Sequence, residues 1–334
     1  MSVEKLKQEI PEINMTNKLH YTALAWLFAT LIAALATAAQ AQPSYFNDFD
    51  VENSIIDPID IYHGGPDRNG IPAIDRPLFA SGEAREGLLG MDERVLAVHY
   101  NGISKAYPVA IMDHHEVVND FFGIQAVTIT FCPLCGTGMA FMANTGGKSL
   151  SFGVSGLLYN SNVLLYDRNT ESLWSQVMKT AISGPMKGHR LDDIPLEHST
   201  WGQWLKRYPD SLLLTQDTGF DRDYSADVYY DYKRLPMVYY PTVHQDLRLT
   251  AKDWVIGVTL HDSAIAIPYK ELDKAESPLI TRVGGREIRV EWDKKASSAR
   301  VFNDDGEQIP ATAGYWFAWV AFHPDTELFN ASSQ

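Results

Sequence analysis

At 334 residues and 45% hydrophobic, the chain can bury a core as one large or two smaller domains. Its formal net charge of −14 argues against nucleic acid or an anionic membrane surface as partner, because both repel an acidic body. Solubility is the plainer reason for that charge, and the sequence identifies no small-molecule or protein partner.

Residues 1–41 read as an export signal. Lys18 and His20 precede an apolar run from Tyr21 to Ala36, and Ala39-Gln40-Ala41 gives the small-x-small pattern cut by a signal peptidase, with Gln42 as the mature start. The acidic leader carrying Glu4, Glu9 and Glu12 is unusual for a signal, and a start at Met15 removes it. The competing reading is an uncleaved membrane anchor over residues 21–39, since about 18 apolar residues suffice to span. With cleavage the mature chain is periplasmic or secreted, free of the membrane, in a compartment where a disulfide persists.

Residues 42–94 are loop-rich. His63-Gly64-Gly65-Pro66 and Asn69-Gly70-Ile71-Pro72 stack turn signals there. Val95 to Tyr100, Asn101-Gly102 and Ile103 to Tyr107 then predict a β-hairpin with a type I′ turn. Pro108 opens a predicted helix, Val109 to Phe122, capped by Gly123. On it Ile111, His115, Val118 and Phe122 share one stripe, which turns His115 inward.

The strand Ala126–Phe131 leads into Cys132-Pro133-Leu134-Cys135-Gly136, which holds both cysteines of the chain, and Met139-Ala140-Phe141 returns from it. Leu150–Val154, Val163–Tyr166 and Ser172–Trp174 continue as short strands. Gly153-Val154-Ser155-Gly156 reads as a turn, with no base evident for Ser155. Asp167-Arg168-x-x-Glu171 reads as a hairpin salt bridge. Ser199 to Tyr208 is a helix that stops before Pro209. Residues 216–250 form an acidic, tyrosine-rich connector whose Asp217, Asp221, Asp223 and Asp227 miss the EF-hand spacing, so a solvated loop is favoured over a calcium site.

The C-terminal part repeats the earlier pattern. Val95-Leu96-Ala97-Val98 falls on Val255-Ile256-Gly257-Val258, and Ala106-Tyr107-Pro108 on Ala266-Ile267-Pro268. Trp201, Trp204 and Pro209-Asp210 fall on Trp316, Trp319 and Pro324-Asp325. Where the first repeat (95–215) has Cys132 and Cys135, the second (251–334) has Asp293 and Ala296. The expected fold is therefore a β-rich α+β protein made of two related halves of hairpin-helix-strand units, the second degenerate and without the site.

A Cys-Pro-x-Cys-Gly turn sets two sulfurs on one side of a tight bend, with Pro133 fixing φ and Gly136 supplying the reversal. That suits one metal ion or one short disulfide. Closed structural zinc takes four ligands and no second cysteine pair exists, so a metal must recruit histidine, carboxylate or water. The expected metal ligands are Cys132, Cys135 and His115, with His114, Glu116 and Asn119 around them, for zinc or, given the soft sulfurs, copper. A core histidine bonded to backbone or to Glu116 is the plain alternative for His115. Thiol-disulfide exchange is the second reading of the cysteines, although glycines after Cys135 make a poor helix start and so weaken thiolate activation. A non-enzymatic binding module with a stapled turn is the third. Phosphate-binding loops, Gly-x-Ser-x-Gly elbows and His-Glu-x-x-His motifs do not occur in the sequence.

Taken in order, His63-Gly64-Gly65-Pro66, Ala106-Tyr107-Pro108, His115-Glu116-Val117-Val118-Asn119-Asp120, Phe131-Cys132-Pro133-Leu134-Cys135-Gly136, Phe152-Gly153-Val154-Ser155-Gly156, Tyr166-Asp167-Arg168, Trp174-Ser175-Gln176 and Phe322-His323-Pro324-Asp325-Thr326 resemble the domain-of-unknown-function 3179 family. The resemblance runs from about Ile61 to Phe329. It implies that His115, Glu116, Asn119, Cys132 and Cys135 belong to the family pattern, and it brings no settled activity. His63 departs from the family's small residue at that place and is left out of the site.

Overall fold

In chain order the strands are β1 (Tyr45–Phe46) and β2 (Phe49–Asp50), a small hairpin, then β3 (Ile61–His63) and β4 (Phe79–Ala80). β5 (Arg94–Tyr100) and β6 (Ile103–Pro108) precede the helix Val109–His115, and β7 (Val117–Phe122), β8 (Gln125–Cys132) and β9 (Thr137–Met142) follow it. After the small hairpin β10 (Asn144–Thr145) and β11 (Lys148–Ser149) come β12 (Phe152–Tyr159), β13 (Asn162–Asp167), β14 (Leu173–Ser175) and β15 (Thr180–Ala181). β16 (Asp193–Ile194) and β17 (Glu197–Thr200) lead to the helix Trp201–Arg207, β18 (Leu212–Leu214) and the short helix Tyr230–Arg234. β19 (Trp254–Leu260), β20 (Ser263–Pro268) and the helix Tyr269–Leu272 begin the last part. It continues with β21 (Leu279–Val283), β22 (Arg286–Asp293), β23 (Ser298–Phe302), β24 (Gln308–Ile309) and β25 (Thr312–Tyr315). The helix Trp316–Phe322 and β26 (Glu327–Leu328) complete it. This computed structural model describes residues 45–333, so the export signal expected over residues 1–41 lies outside the described residues.

The chain is β-rich with few helices. Five small, mainly antiparallel sheets form a five-bladed, propeller-like arrangement, with orders β17-β5-β6-β18-β4, β16-β9-β8-β7, β15-β14-β13-β12-β3, β25-β19-β20-β26 and β21-β22-β23-β24. The described residues belong to one compact unit. Among the described residues no helix is long and apolar enough to cross a membrane.

Two of these sheets share one plan. β18 runs parallel to β6, and β26 runs parallel to β20. Val95 pairs with Pro108 as Val255 pairs with Pro268, and Leu213 pairs with Ala106 as Leu328 pairs with Ala266. Each sheet is covered by a tryptophan-bearing helix whose second indole is buried, with its N–H satisfied one turn beyond the helix. Trp204 Nε1 donates to Ser211 Oγ at 2.8 Å and Trp319 Nε1 to Thr326 Oγ1 at 3.0 Å. Gly257 is required there, because a Cβ would stand 2.2 Å from the Trp319 ring. The neighbouring sheets match as well: Cys132 pairs with Thr137 in β8–β9, and Asp293 with Ser298 in β22–β23.

The Asn101-Gly102 turn has φ of 49° and 73°, as a type I′ hairpin needs. The helix after Pro108 is shorter than its periodicity predicts. It stops at His115 because Glu116 turns left-handed (φ 59°) and closes its N–H on the Met112 carbonyl. Val117 to Phe122 then forms β7, where β-branched and aromatic residues pair with β8, and Gly123 belongs to the hairpin turn.

Two other local expectations fail. Gly153 to Gly156 lies inside β12, at a register shift between Val154 and Leu157 that Gly156 permits with φ 77°. Ser155 Oγ there donates to the Leu164 carbonyl. Asp167, Arg168 and Glu171 do not pair with one another. Arg168 pairs with Asp75, Glu171 with Arg68, and buried Asp167 accepts from Thr170 and Trp174 Nε1.

Candidate functional site

The antiparallel pair β8–β9 closes over the cysteine turn, whose Cys135 N–H donates to the Cys132 carbonyl at 3.1 Å. Gly136 reverses the chain at φ 65° and lies so close to Trp254 that a Cβ would approach its ring to 2.8 Å. The Cys135 carbonyl accepts from the Tyr315 N–H at 2.9 Å, so strands from both ends of the chain hold the turn. Both thiols are buried and unbridged, at 1% and 0% exposure. They converge on one acceptor, the Ser161 carbonyl, at 3.9 Å from Cys132 Sγ and 3.3 Å from Cys135 Sγ. The β12–β13 turn delivers that carbonyl, with Asn160 and Ser161 both left-handed at φ 53° and 63°.

The two sulfurs are electrostatically unlike. Burial pushes the Cys132 thiol up. Against it, a hydrogen bond from Cys135 and the backbone N–H groups of Val163, Cys135 and Leu134 draw Cys132 below the ordinary thiol value. Cys135 is held well above that value, first by burial, then by its hydrogen bond to Cys132 and by the charge of Cys132. The two shifts thus run in opposite directions, Cys132 down and Cys135 up.

His115 is buried and inward-facing, as its helical stripe predicts, but its ring is committed elsewhere. Nδ1 donates to the Pro72 carbonyl at 2.7 Å, which leaves Nε2 to accept from Tyr224 Oη at 2.6 Å. Tyr224 Oη in turn lies 2.5 Å from Thr218 Oγ1. Burial lowers the His115 pKa, in keeping with a neutral ring of fixed tautomer. Among the described residues no group of three or more His, Cys, Asp or Glu is placed to hold a metal ion. The expected set of Cys132, Cys135 and His115 is not brought together, because the helix ends at His115 and its ring packs toward the connector. The aspartates of that connector fold locally: Asp223 accepts from Ser225, and Asp227 accepts from Tyr229 N–H and pairs with Lys233.

Of the groups expected around the cysteines, Glu116 alone stands by them. His114 Nε2 bonds the Ala226 carbonyl at 3.2 Å. Asn119 ties two sheets together, donating to the Phe152 carbonyl and accepting from the Phe152 N–H. Glu116 is 6% exposed and accepts from Tyr229 Oη at 3.3 Å. Burial, and then the charge of Cys132, hold its carboxyl well above the usual carboxylate range.

The pair is enclosed by polar side chains that sequence reasoning did not single out. Asn162 Nδ2 donates to Gln176 Oε1 at 2.8 Å and Thr137 Oγ1 at 3.1 Å, while Gln176 Nε2 donates to Thr130 Oγ1 at 2.8 Å. Gln176 also accepts from Thr137 Oγ1, at 2.8 Å, which fixes both amides in one orientation. Ser161 Oγ and Asn162 Oδ1 are buried there without a hydrogen-bond partner among the described residues. Gln176 was visible only as part of Trp174-Ser175-Gln176. Beside this layer opens a cleft of about 380 Å³, bounded by Leu134, Val163 and Glu116 on one side and by Tyr229, Tyr232 and Tyr239 of the connector on the other. Tyr232 Oη donates to the Leu134 carbonyl at 2.8 Å, joining the tyrosine wall to the cysteine turn. The tyrosine-rich composition of residues 216–250 was the one sequence signal for this wall.

A family profile described as "Protein of unknown function (DUF3179)" matches residues 68–307. The chain belongs to the DUF3179 family. The match takes in the cysteine turn, the β12–β15 sheet and the connector, and stops short of Phe329. No curated protein and no solved structure matches this DUF3179 chain.

Proposed function

We propose that this chain is a thiol-disulfide exchange protein, with Cys132 and Cys135 as its redox pair and a small disulfide, admitted through the tyrosine-lined cleft, as its substrate. The observation that carries this reading is the arrangement of the pair: two buried, unbridged thiols in one tight turn, converging on the Ser161 carbonyl, with Cys132 drawn below and Cys135 held above the ordinary thiol value. The Cys132 thiolate attacks one sulfur of the substrate disulfide, forming a mixed disulfide and releasing one substrate thiolate. Cys135 then gives up its proton and attacks the Cys132 sulfur. The second substrate thiolate leaves, and that proton neutralises a departing thiolate. The protein ends as the disulfide and the substrate as one thiol and one thiolate, the latter taking its proton from water.

A zinc or copper ion held by Cys132, Cys135 and His115 is less well supported, because both His115 nitrogens are engaged. The two sulfurs that remain fall short of the four ligands of closed zinc and suit only a soft ion such as copper(I). One experiment separates the readings. The reduced protein is mixed with a small aromatic disulfide, and released thiol, bound metal and the state of the cysteines are measured together. Exchange predicts two equivalents of aromatic thiol, an internal disulfide and no reaction in Cys132→Ser. A protein isolated with one equivalent of copper that blocks the reaction supports the metal reading instead.

We also infer an internal duplication with a lost site in its second copy. The shared sheet order, the parallel β18 and β26, and the paired Trp204–Ser211 and Trp319–Thr326 hydrogen bonds support it. At the position of Cys132, Asp293 shapes the turn through its own carboxylate, accepting from the Lys295 and Ala296 N–H groups. Hydrogen exchange that finds β26 unprotected while β18 is protected would contradict the inference.

A further inference from the structure

Trp254 lines a second cavity. Although the chain carries 42 acidic and 28 basic residues, this cavity of about 540 Å³ is lined by three cations, Arg94, Lys252 and Lys270, and one acid, Asp253. Asp253 is committed to Lys270 at 2.7 Å. Among the described residues the other two cations form no salt bridge with a carboxylate. Arg94 donates to the carbonyls of Ala296 and Ser297, and Lys252 to those of Tyr232 and Leu235. Glu197, whose charge acts on Arg94, is bonded to Arg207 and Ser298. Burial lowers the pKa of both Arg94 and Lys252, so each holds its charge at a cost that an anion beside it offsets. The apolar wall is a pair of stacked rings, Trp254 and Tyr269, 5.9 Å apart at 24°. The Tyr269 hydroxyl is buried without a hydrogen-bond partner among the described residues.

We infer that this cavity binds a small organic anion with a planar group, its carboxylate met by Arg94 and Lys252 and its ring laid against Trp254 and Tyr269. Two uncompensated cations select the charge, and the aromatic pair selects the planar body. The site is separate from the cysteines, although Trp254 also packs on Gly136 of their turn.

Isothermal titration of the full chain with benzoate, benzamide and inorganic phosphate tests this. Benzoate binds, its affinity falls as salt is raised, and benzamide and phosphate each bind about tenfold or more weakly, one lacking the charge and the other the ring. Lys252→Gln weakens benzoate about tenfold. Lys270→Gln changes a half-exposed side chain and removes the ion-pair partner of Asp253, leaving that carboxylate's charge in the cavity, so it too weakens benzoate. Equal affinity for benzoate and benzamide, equal affinity for benzoate and phosphate, or no heat from benzoate at about 10 mM overturns the inference. So does a Lys270→Gln protein that is folded and binds benzoate as the wild type does.

Discussion

Replacing Tyr232 with Phe removes one oxygen from the link between the tyrosine wall and the cysteine turn. Its hydroxyl donates to the Leu134 carbonyl at 2.8 Å, in a residue 2% exposed, so the carbonyl loses that partner where water does not readily replace it. A lost buried hydrogen bond costs about 1–2 kcal/mol. Here it falls on the packed state of the turn, because Leu134 lies between the two cysteines and this bond holds it to the tyrosine wall. Opening should therefore become about 5–30 times more populated. Alkylation of the thiols by iodoacetamide in native buffer, followed by mass spectrometry, reads that population when closing outpaces the reaction. Tyr232→Phe should react faster by that factor, on Cys132 first, with a folding midpoint lowered by no more than the lost bond. Tyr239→Phe, on the same wall without the Leu134 bond, should react like wild type. An unchanged rate in Tyr232→Phe, or equal acceleration in Tyr239→Phe, refutes the proposed route to the thiols past the tyrosine wall.

Lys105→Met should destabilise the fold by about 3–5 kcal/mol in urea unfolding, because it strands a buried carboxylate. The Lys105 amine contacts both oxygens of Asp120 and the Phe121 carbonyl, all at 2.8 Å, between the Phe79 and Phe122 rings. Adding Asp120→Leu should recover much of that loss, and a double variant no better than the single one counts against it. A pH dependence follows from His198, whose Nε2 accepts from the Gly138 N–H at 3.2 Å and whose pKa burial lowers from 6.5 to about 3. Below pH 6.5 the unfolded chain takes up a proton that the folded chain refuses until about pH 3. Stability from this group is thus complete above pH 6.5 and declines through that window as acid is added. Chemical denaturation across the window should show a shallower decline in His198→Gln than in wild type, and parallel curves would contradict the assignment.

The elements set by local chemistry were legible in the sequence. Asn101-Gly102 determines its turn through two positive φ angles, and the β-branched run before the cysteines pairs with the strand that returns from them. Inward burial of His115 was legible from its stripe, but where the imidazole points was not. Ile111, His115, Val118 and Phe122 fit a helical period as well as Val117 to Phe122 fits a strand, and one left-handed residue, Glu116, decides between them. The partners of His115 come from Pro72 and Tyr224, remote in sequence and joined only by the tertiary fold. Ser161, Asn162 and Gln176 escaped notice for the same reason, since amides and hydroxyls carry no spacing rule that reveals a shared cavity. The tryptophans of the two sheet-covering helices were legible because Trp201, Trp204 and Pro209-Asp210 have the same spacing as Trp316, Trp319 and Pro324-Asp325.

The account depends on Cys132 and Cys135 having different roles, and trapping the half-reaction tests it most directly. Cys135→Ser, treated with oxidised glutathione, is predicted to hold a stable glutathione adduct on Cys132, because the sulfur that would expel it is gone. Cys132→Ser is predicted to stay unmodified while folded, although both variants react once denatured. Equal adducts on the two folded variants, or none on either, would contradict the assignment of Cys132 as the attacking thiolate.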